Sequence, residues 1–280
     1  MVERYLAGLF TEETDYRVLL EAMRYSLLAG GKRLRPVLTM AFCEAVGGNA
    51  ETALPGGAAL ELVHTYSLIH DDLPCMDDDD YRRGRLTCHK VYGEDVATLA
   101  GDALQAAAFH LLAKMPVPAD RALRCVEILS QAAGEHGMVA GQILDLQGET
   151  RTLDEPELRN VHRRKTGAML SAACRIGAVL GGGSDGQIAA AKEFGCCLGM
   201  AFQIRDDMLD ELGDQQELGK PIGSDRESGK STFLTLHGPE ECQKLVEAET
   251  QKALSALREG GFRRTDFIEE LALSLVSRTK

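Results

Sequence analysis

The residues best equipped for chemistry lie at 71–83, DDLPCMDDDDYRR. Six of the first ten (Asp71, Asp72, Asp77, Asp78, Asp79 and Asp80) are aspartates, and Arg82 and Arg83 follow at once. An apolar stretch, 58–69, leads into them. A second apolar stretch ends in Asp206-Asp207-Met208-Leu209-Asp210. Carboxylates beside apolar surface cost free energy unless something neutralises them. Oxygen donors without histidine or cysteine partners favour magnesium or manganese over zinc. Magnesium completes its shell with water and substrate phosphates, so two such clusters facing each other would hold a polyphosphate between them.

Cations accompany the carboxylates. Lys32-Arg33-Leu34-Arg35 precede Pro36, which suits the first turn of a helix. Three cations at a helix N-terminus make either an anion site or a solvated basic turn. His64, Ser67, Leu68 and Asp71 are spaced i, i+3, i+4, i+7 and share one helical face. Asp206 and Asp210 lie about 6 Å apart on a helix, with Gln203 one turn before Asp206 on the same side. Pro74 keeps Asp71 and Asp77 off one unbroken helix, but a turn can still bring both to one cation.

Helical periodicity supplies the elements that must position these groups. Helices are expected over 14–29, with Val18, Ala22, Tyr25 and Leu28 recurring and Gly30-Gly31 as the stop, and then from Leu34, with Leu38, Phe42 and Val46 on its face. Further helices are expected over 58–71 and 95–114, and over 119–148 as one or two, where Gln142, Asp145 and Glu149 are polar interruptions. Asp154, with Glu157 three residues on, reads as a capping box. The helix that follows carries Arg163, Arg164, Lys165 and Thr166, then Met169, Leu170, Ala173 and Ile176. The last helices are expected over 186–212, 239–259 and 262–279. Residues 81–93 read as a loop, and 213–231 as a long polar, glycine-rich loop bearing Lys220 and Lys230. No strand alternation, internal repeat or linker is visible. The expected class is all-α, one domain over 1–280, with about ten helices. The 29 glycines imply close helix approaches.

A net charge of −12 argues against nucleic acid or an anionic membrane as partner. Eight cysteines without a CxxC pair, and residues 1–10 without a secretory pattern, imply free thiols in the cytoplasm. No uninterrupted apolar run approaches about 18 residues, so no membrane span is expected.

In sum, these motifs resemble the short-chain trans-isoprenyl diphosphate synthase family, most of all its bacterial farnesyl diphosphate synthases. GGKRLRP at 30–36, LIHDDLPCMDDDDYRRG at 68–84, LAGDAL at 99–104, KTG at 165–167, FQIRDDMLD at 202–210 and GK…GKST at 219–232 match in order. The resemblance implies an all-α isoprenoid-synthase bundle around a deep central cavity, working as a homodimer. It implies that Asp71, Asp72, Asp77, Asp206 and Asp210 hold about three Mg²⁺ ions on an allylic diphosphate. Arg82, Lys165, Lys220 and Lys230 would bind that diphosphate. Lys32, Arg35, His64 and Arg83 would bind isopentenyl diphosphate. Thr166 and Gln203 would face the allylic cation. Asp71, Asp77, Lys165, Thr166, Gln203 and Asp206 would therefore carry catalysis. The loop 213–231 and the tail 278–280 would help close the site.

The implied reaction is head-to-tail condensation to farnesyl diphosphate, with C20 and C10 products as alternatives. In the family an aromatic residue five before the first aspartate tends to stop growth at fifteen carbons. Here that residue is Tyr66, followed by Ser67; a tyrosine simply packed between helices is the other reading. A class I terpene cyclase would carry a mixed Asn/Ser/Glu second motif, and a non-catalytic partner subunit would have lost a cluster. This chain has both aspartate clusters and the basic motif.

Overall fold

The computed structural model describes residues 1–212 and 231–277, apart from the side chains of 211 and 212. The expectations for the loop 213–231 with Lys220 and Lys230, and for the tail 278–280, fall outside these residues except at Ser231. Among the described residues there are fourteen α-helical segments, one π-turn and one two-stranded hairpin. In order they are α1 (Val2–Ala7), α2 (Arg17–Leu27), α3 (Leu34–Ala45), α4 (Ala50–Asp71), β1 (Tyr81–Arg82), β2 (Arg85–Leu86), α5 (Cys88–Tyr92) and α6 (Glu94–Ala113). There follow α7 (Ala119–Ala133), α8 (Met138–Gly148), α9 (Glu155–His162), the π-turn (Arg163–Gly167), α10 (Ala168–Leu180) and α11 (Asp185–Leu212). The last three are α12 (Phe233–His237), α13 (Pro239–Glu259) and α14 (Asp266–Ser277).

Two helices form the middle of the bundle. In α10, 11 of 13 residues are buried, and α4 is buried around most of its circumference. Helices apolar all round have no solvent face and sit in a core. Around them pack α3, α6, α7 and α11, with α13 against the outer side of α11. Phe42 of α3 meets Phe194 of α11 at 5.1 Å and Phe262 at 5.4 Å, closing the core at one end.

The class and most elements match the periodicity. The capping box at α9 forms as expected, with the Glu157 amide donating to Asp154. Several details differ. α4 starts at 50 rather than 58: Pro55-Gly56-Gly57 look like a break, but the proline forfeits one backbone bond while both glycines pack closely, Gly56 on Leu180 and Ile176 and Gly57 on Pro36. Asn49 accepts from the Glu51 amide and caps the true start. On α2 the buried side chains are Leu20, Ala22, Met23 and Leu27, while Val18 is half exposed, so the expected face is rotated. The region 81–93 is a hairpin plus a helical turn, not a loop. Its two-residue connection is Arg83-Gly84, both at positive φ (54° and 73°), the primed geometry that matches strand twist.

α6 contains charges that interrupt any apolar run, yet its mean hydropathy of 1.3 over 18 residues makes it long and apolar enough to cross a membrane by length and composition alone. Here it packs against α4, α2, α5 and α7.

Candidate active site

α4 ends at Asp71, and the chain then folds back on itself. The Asp77 amide donates to the Asp71 carbonyl at 2.8 Å, so the turn after Pro74 returns Asp77 beside Asp71. One helical face delivers His64, Ser67, Leu68 and Asp71 to a cavity of about 370 Å³. Its far wall comes from α8, through Met138, Gln142 and Leu146, and from Lys165 and Thr166 of the π-turn. Tyr66 also lines it. Burial raises the Asp71 pKa; Lys165 opposes the rise and Asp77 adds to it.

A second cavity, of about 380 Å³, lies next to the first and is basic. Lys32, Arg33, Arg35 and Arg83 line it with Glu61 and Phe202. Arg35, His64 and Thr166 belong to both cavities and form the wall between them. The hairpin turn sends Arg83 back to the Gly30 carbonyl, to which its Nη1 donates. Burial lowers the pKa of Arg35 and of Arg83, with Glu61 opposing in each case. Burial and the neighbouring Arg35, Arg83, Arg82 and Arg33 hold His64 well below its usual pKa, so its imidazole is neutral.

The three basic-motif cations do not act alike. Arg33, in the left-handed region at φ 48°, turns inward. Its Nη1 lies 2.8 Å from the buried Glu61 carboxylate and its Nε 2.7 Å from Glu3. Arg33 is thus neutralised structurally, although it borders the cavity with Lys32 and Arg35. Glu61, whose other oxygen has no hydrogen-bond partner among the described residues, was not distinguishable in sequence from a surface carboxylate.

Arg82 and Asp72 sit on the other side of the end of α4. Arg82 Nε is 2.6 Å from Asp72 and its Nη2 3.2 Å from Asp79. Burial raises the Asp72 pKa to about 6, against the pull of Arg82. Asp71 therefore lines the apolar cavity, whereas Asp72 is paired with Arg82 through one carboxylate oxygen.

The π-turn connects the first cluster to α11. A π-turn widens the helix by one residue and re-aims side chains. Lys165 Nζ lies 2.5 Å from Asp145 of α8, the polar interruption noted in the sequence. Thr166 Oγ1 donates to Gln203 Oε1 at 2.9 Å. This approach needs Gly199, one turn before Gln203, where a Cβ would meet the Gly167 Cα at 2.7 Å. Asp206 and Asp210 are half-buried on the same helix. Asp207, between them, is buried and used otherwise. It accepts the Phe233 amide at 3.0 Å and anchors the start of α12.

The donor set fits a hard divalent cation. It is oxygen only, and Asp71 is half-buried with a second carboxylate, Asp77, beside it. Among the described residues no three histidine, cysteine or carboxylate groups converge on a cage of their own. Magnesium does not need one, since it is typically held by one or two carboxylates with phosphates and water.

The polyprenyl synthetase family model matches residues 16–266. The chain is 49% identical over 229 residues to the farnesyl diphosphate synthase of Geobacillus stearothermophilus, covering 80% of this chain and 77% of that protein. It is 48% identical over 244 residues to heterodimeric geranylgeranyl pyrophosphate synthase large subunit 1 of Arabidopsis thaliana, covering 85% of this chain. The chain spans 66% of that plant relative's length. Among solved structures, the apo FPP/GFPP synthase of Zymomonas mobilis superposes with a TM-score of 0.89 at 38% identity, over 98% of this chain and 95% of that one. The all-helical bundle and its solved likenesses make the fold the all-α isoprenoid-synthase class. The chain belongs to the polyprenyl synthetase family.

Proposed function

We propose that the chain condenses isopentenyl diphosphate head-to-tail with dimethylallyl and geranyl diphosphates to give farnesyl diphosphate. The observation that carries this reading is the pair of cavities. One is basic, one is largely apolar with Asp71 at its rim, and both share Arg35, His64 and Thr166. A diphosphate with a short apolar tail suits the first, and a diphosphate with a growing tail suits the second.

Each residue then has a task. Lys32, Arg35 and Arg83 bind the isopentenyl diphosphate, and neutral His64 offers it a hydrogen bond without adding charge. Lys165 meets the allylic diphosphate, with Arg82 joining once it leaves Asp72. Asp71, Asp77, Asp206 and Asp210, with Asp72 in reserve, are the oxygen donors for magnesium. Bound magnesium supplies positive charge to the departing diphosphate. Thr166 and Gln203 present oxygens where the allylic carbon loses its leaving group. The isopentenyl double bond attacks that carbon across the shared wall, and a proton is lost to the released diphosphate. The apolar lining keeps water from the cation. Lys220 and Lys230 keep their diphosphate-binding assignment as part of this reading, as does closure by the loop and tail.

On this reading Tyr66 stops growth at fifteen carbons. It is 6% exposed yet lines the apolar cavity one turn before His70. Two further features of the reading rest on the surface and the thiols. Leu99 and Leu123 are exposed on α6 and α7, which supports pairing of two identical subunits there. All eight thiols are free, six of them buried, which supports a reducing cytoplasm.

The test is product analysis with Mg²⁺, isopentenyl diphosphate and C5, C10 or C15 allylic starters, sizing the dephosphorylated alcohols. The reading expects accumulation at C15, with the C15 starter left unextended. Tyr66→Ala should extend the product to C20 or beyond. An unchanged C15 product from that variant removes the stop role from Tyr66, and no condensation by the natural chain removes the activity.

A further inference from the structure

We propose that His70 is a second length-setting residue, a wall of the apolar cavity held in place by its seat on Gly101. The inference rests on the chain-elongation reading above.

His70 lies four residues after Tyr66, so the two rings share one face of α4. Both line the apolar cavity. Their centroids are 5.7 Å apart and the rings meet edge to face at 73°. The His70 ring is fixed from behind by α6. Its Nε2–H donates to the Thr98 carbonyl at 3.1 Å, and the Asp102 carboxylate stands further off at 3.9 Å. One turn further along α6, Gln105 faces the Tyr66 hydroxyl. The two rings are therefore two rungs of one α4–α6 contact.

Gly101 makes the seat. A Cβ at this position would lie 2.1 Å from His70 Nε2, 2.5 Å from Cδ2 and 3.0 Å from Cε1. These three nearest atoms all belong to the one imidazole, so the ring rests on bare helix backbone. Any side chain at 101 must displace it. With α6 behind the ring and the cavity in front, displacement carries it into the space that the product tail fills.

The two partners therefore predict opposite effects. His70→Ala removes a wall and lengthens the cavity. Gly101→Ala drives the ring inward and shortens it. In the double variant the added methyl has no ring to strike, so the shortening disappears.

The experiment is product sizing with the full chain, Mg²⁺, isopentenyl diphosphate and dimethylallyl diphosphate, read relative to the natural chain's main product. The expected result is a several-fold rise in longer alcohols for His70→Ala and a several-fold rise in shorter ones for Gly101→Ala. The double variant should lose the excess of shorter alcohols. Because the readout is a ratio among products of folded molecules, a lower yield alone does not move it. Natural distributions in both single variants overturn the inference, as does a shift of both in the same direction. A natural main product other than C15 would correct the length reading and leave this contrast intact. Absence of any condensation by the natural chain would overturn both.

Discussion

Arg33 and Arg35 stand two residues apart in one motif and have opposite fates. Arg35 lines both cavities, while Arg33 is tied to Glu61 and Glu3. A buried pair broken from one side leaves an uncompensated charge, which typically costs about 3–5 kcal/mol. Glu61→Gln should therefore destabilise by roughly 3 kcal/mol, the lower end because Glu3 remains, as measured by urea unfolding at neutral pH. Glu157 gives a pH-dependent case. Its hydrogen bonds with Arg151 and then with the Asp154 backbone lower its pKa from 4.5 to about 2. A folded-state pKa below the unfolded one means stability that is present above pH 4.5 and lost as the pH falls toward 2. Glu157→Gln should melt below the natural chain at pH 6, and the gap should narrow through that window. A gap independent of pH would show that the carboxylate charge contributes nothing.

Elements decide whether the site residues meet. Thr166 and Gln203 bond only because α11 crosses the π-turn with bare glycine on both sides. Gly199→Ala forces a methyl against the Gly167 backbone, which cannot rotate away. Overpacking of this kind costs about 1–3 kcal/mol. The variant should lose stability in that range, and its kcat should fall more than its KM changes. Gly186→Ala is the control on the same helix, since a Cβ there meets only Ser184 Oγ at 3.8 Å; it should be neutral or slightly stabilising. The same contrast explains what was legible in the sequence. The aspartate clusters, the basic turn, the α9 cap and the single face of His64, Ser67, Leu68 and Asp71 are local patterns, and periodicity exposes them. Glu61 with Arg33, Asp145 with Lys165 and His70 with Gly101 are meetings between separate helices. They depend on crossing geometry, which no spacing within one segment encodes. The inward direction of Tyr66 belongs to the same group. The hairpin escapes periodicity because two-residue strands have no alternation to read, although Arg83-Gly84 is a turn signal of the kind that marks one.

At the scale of the whole molecule, an acidic chain carries a basic chamber. The net charge is −12, yet Lys32, Arg35 and Arg83 converge beside one cavity, while Asp71 lines the other. On the proposed reading, the two diphosphate sites should therefore differ in what they require. The basic chamber would use its own cations and need no metal. The site at Asp71 would repel a bare diphosphate and accept it only with a divalent cation. Inorganic diphosphate should accordingly bind once per chain in excess EDTA, and this binding should weaken with added salt. Magnesium should add a second site. Arg83→Ala should weaken the EDTA-resistant binding by about tenfold or more, the range expected for a lost charge-assisted contact, and spare the magnesium-dependent one. Titration calorimetry separates the two, because the buffer chooses which site is filled. Loss of all binding in EDTA by the natural chain would mean that the arginines are held by Glu61 and its neighbours too strongly to take an anion. In that case the basic cavity would be a structural charge network, and the isopentenyl diphosphate would have to bind elsewhere.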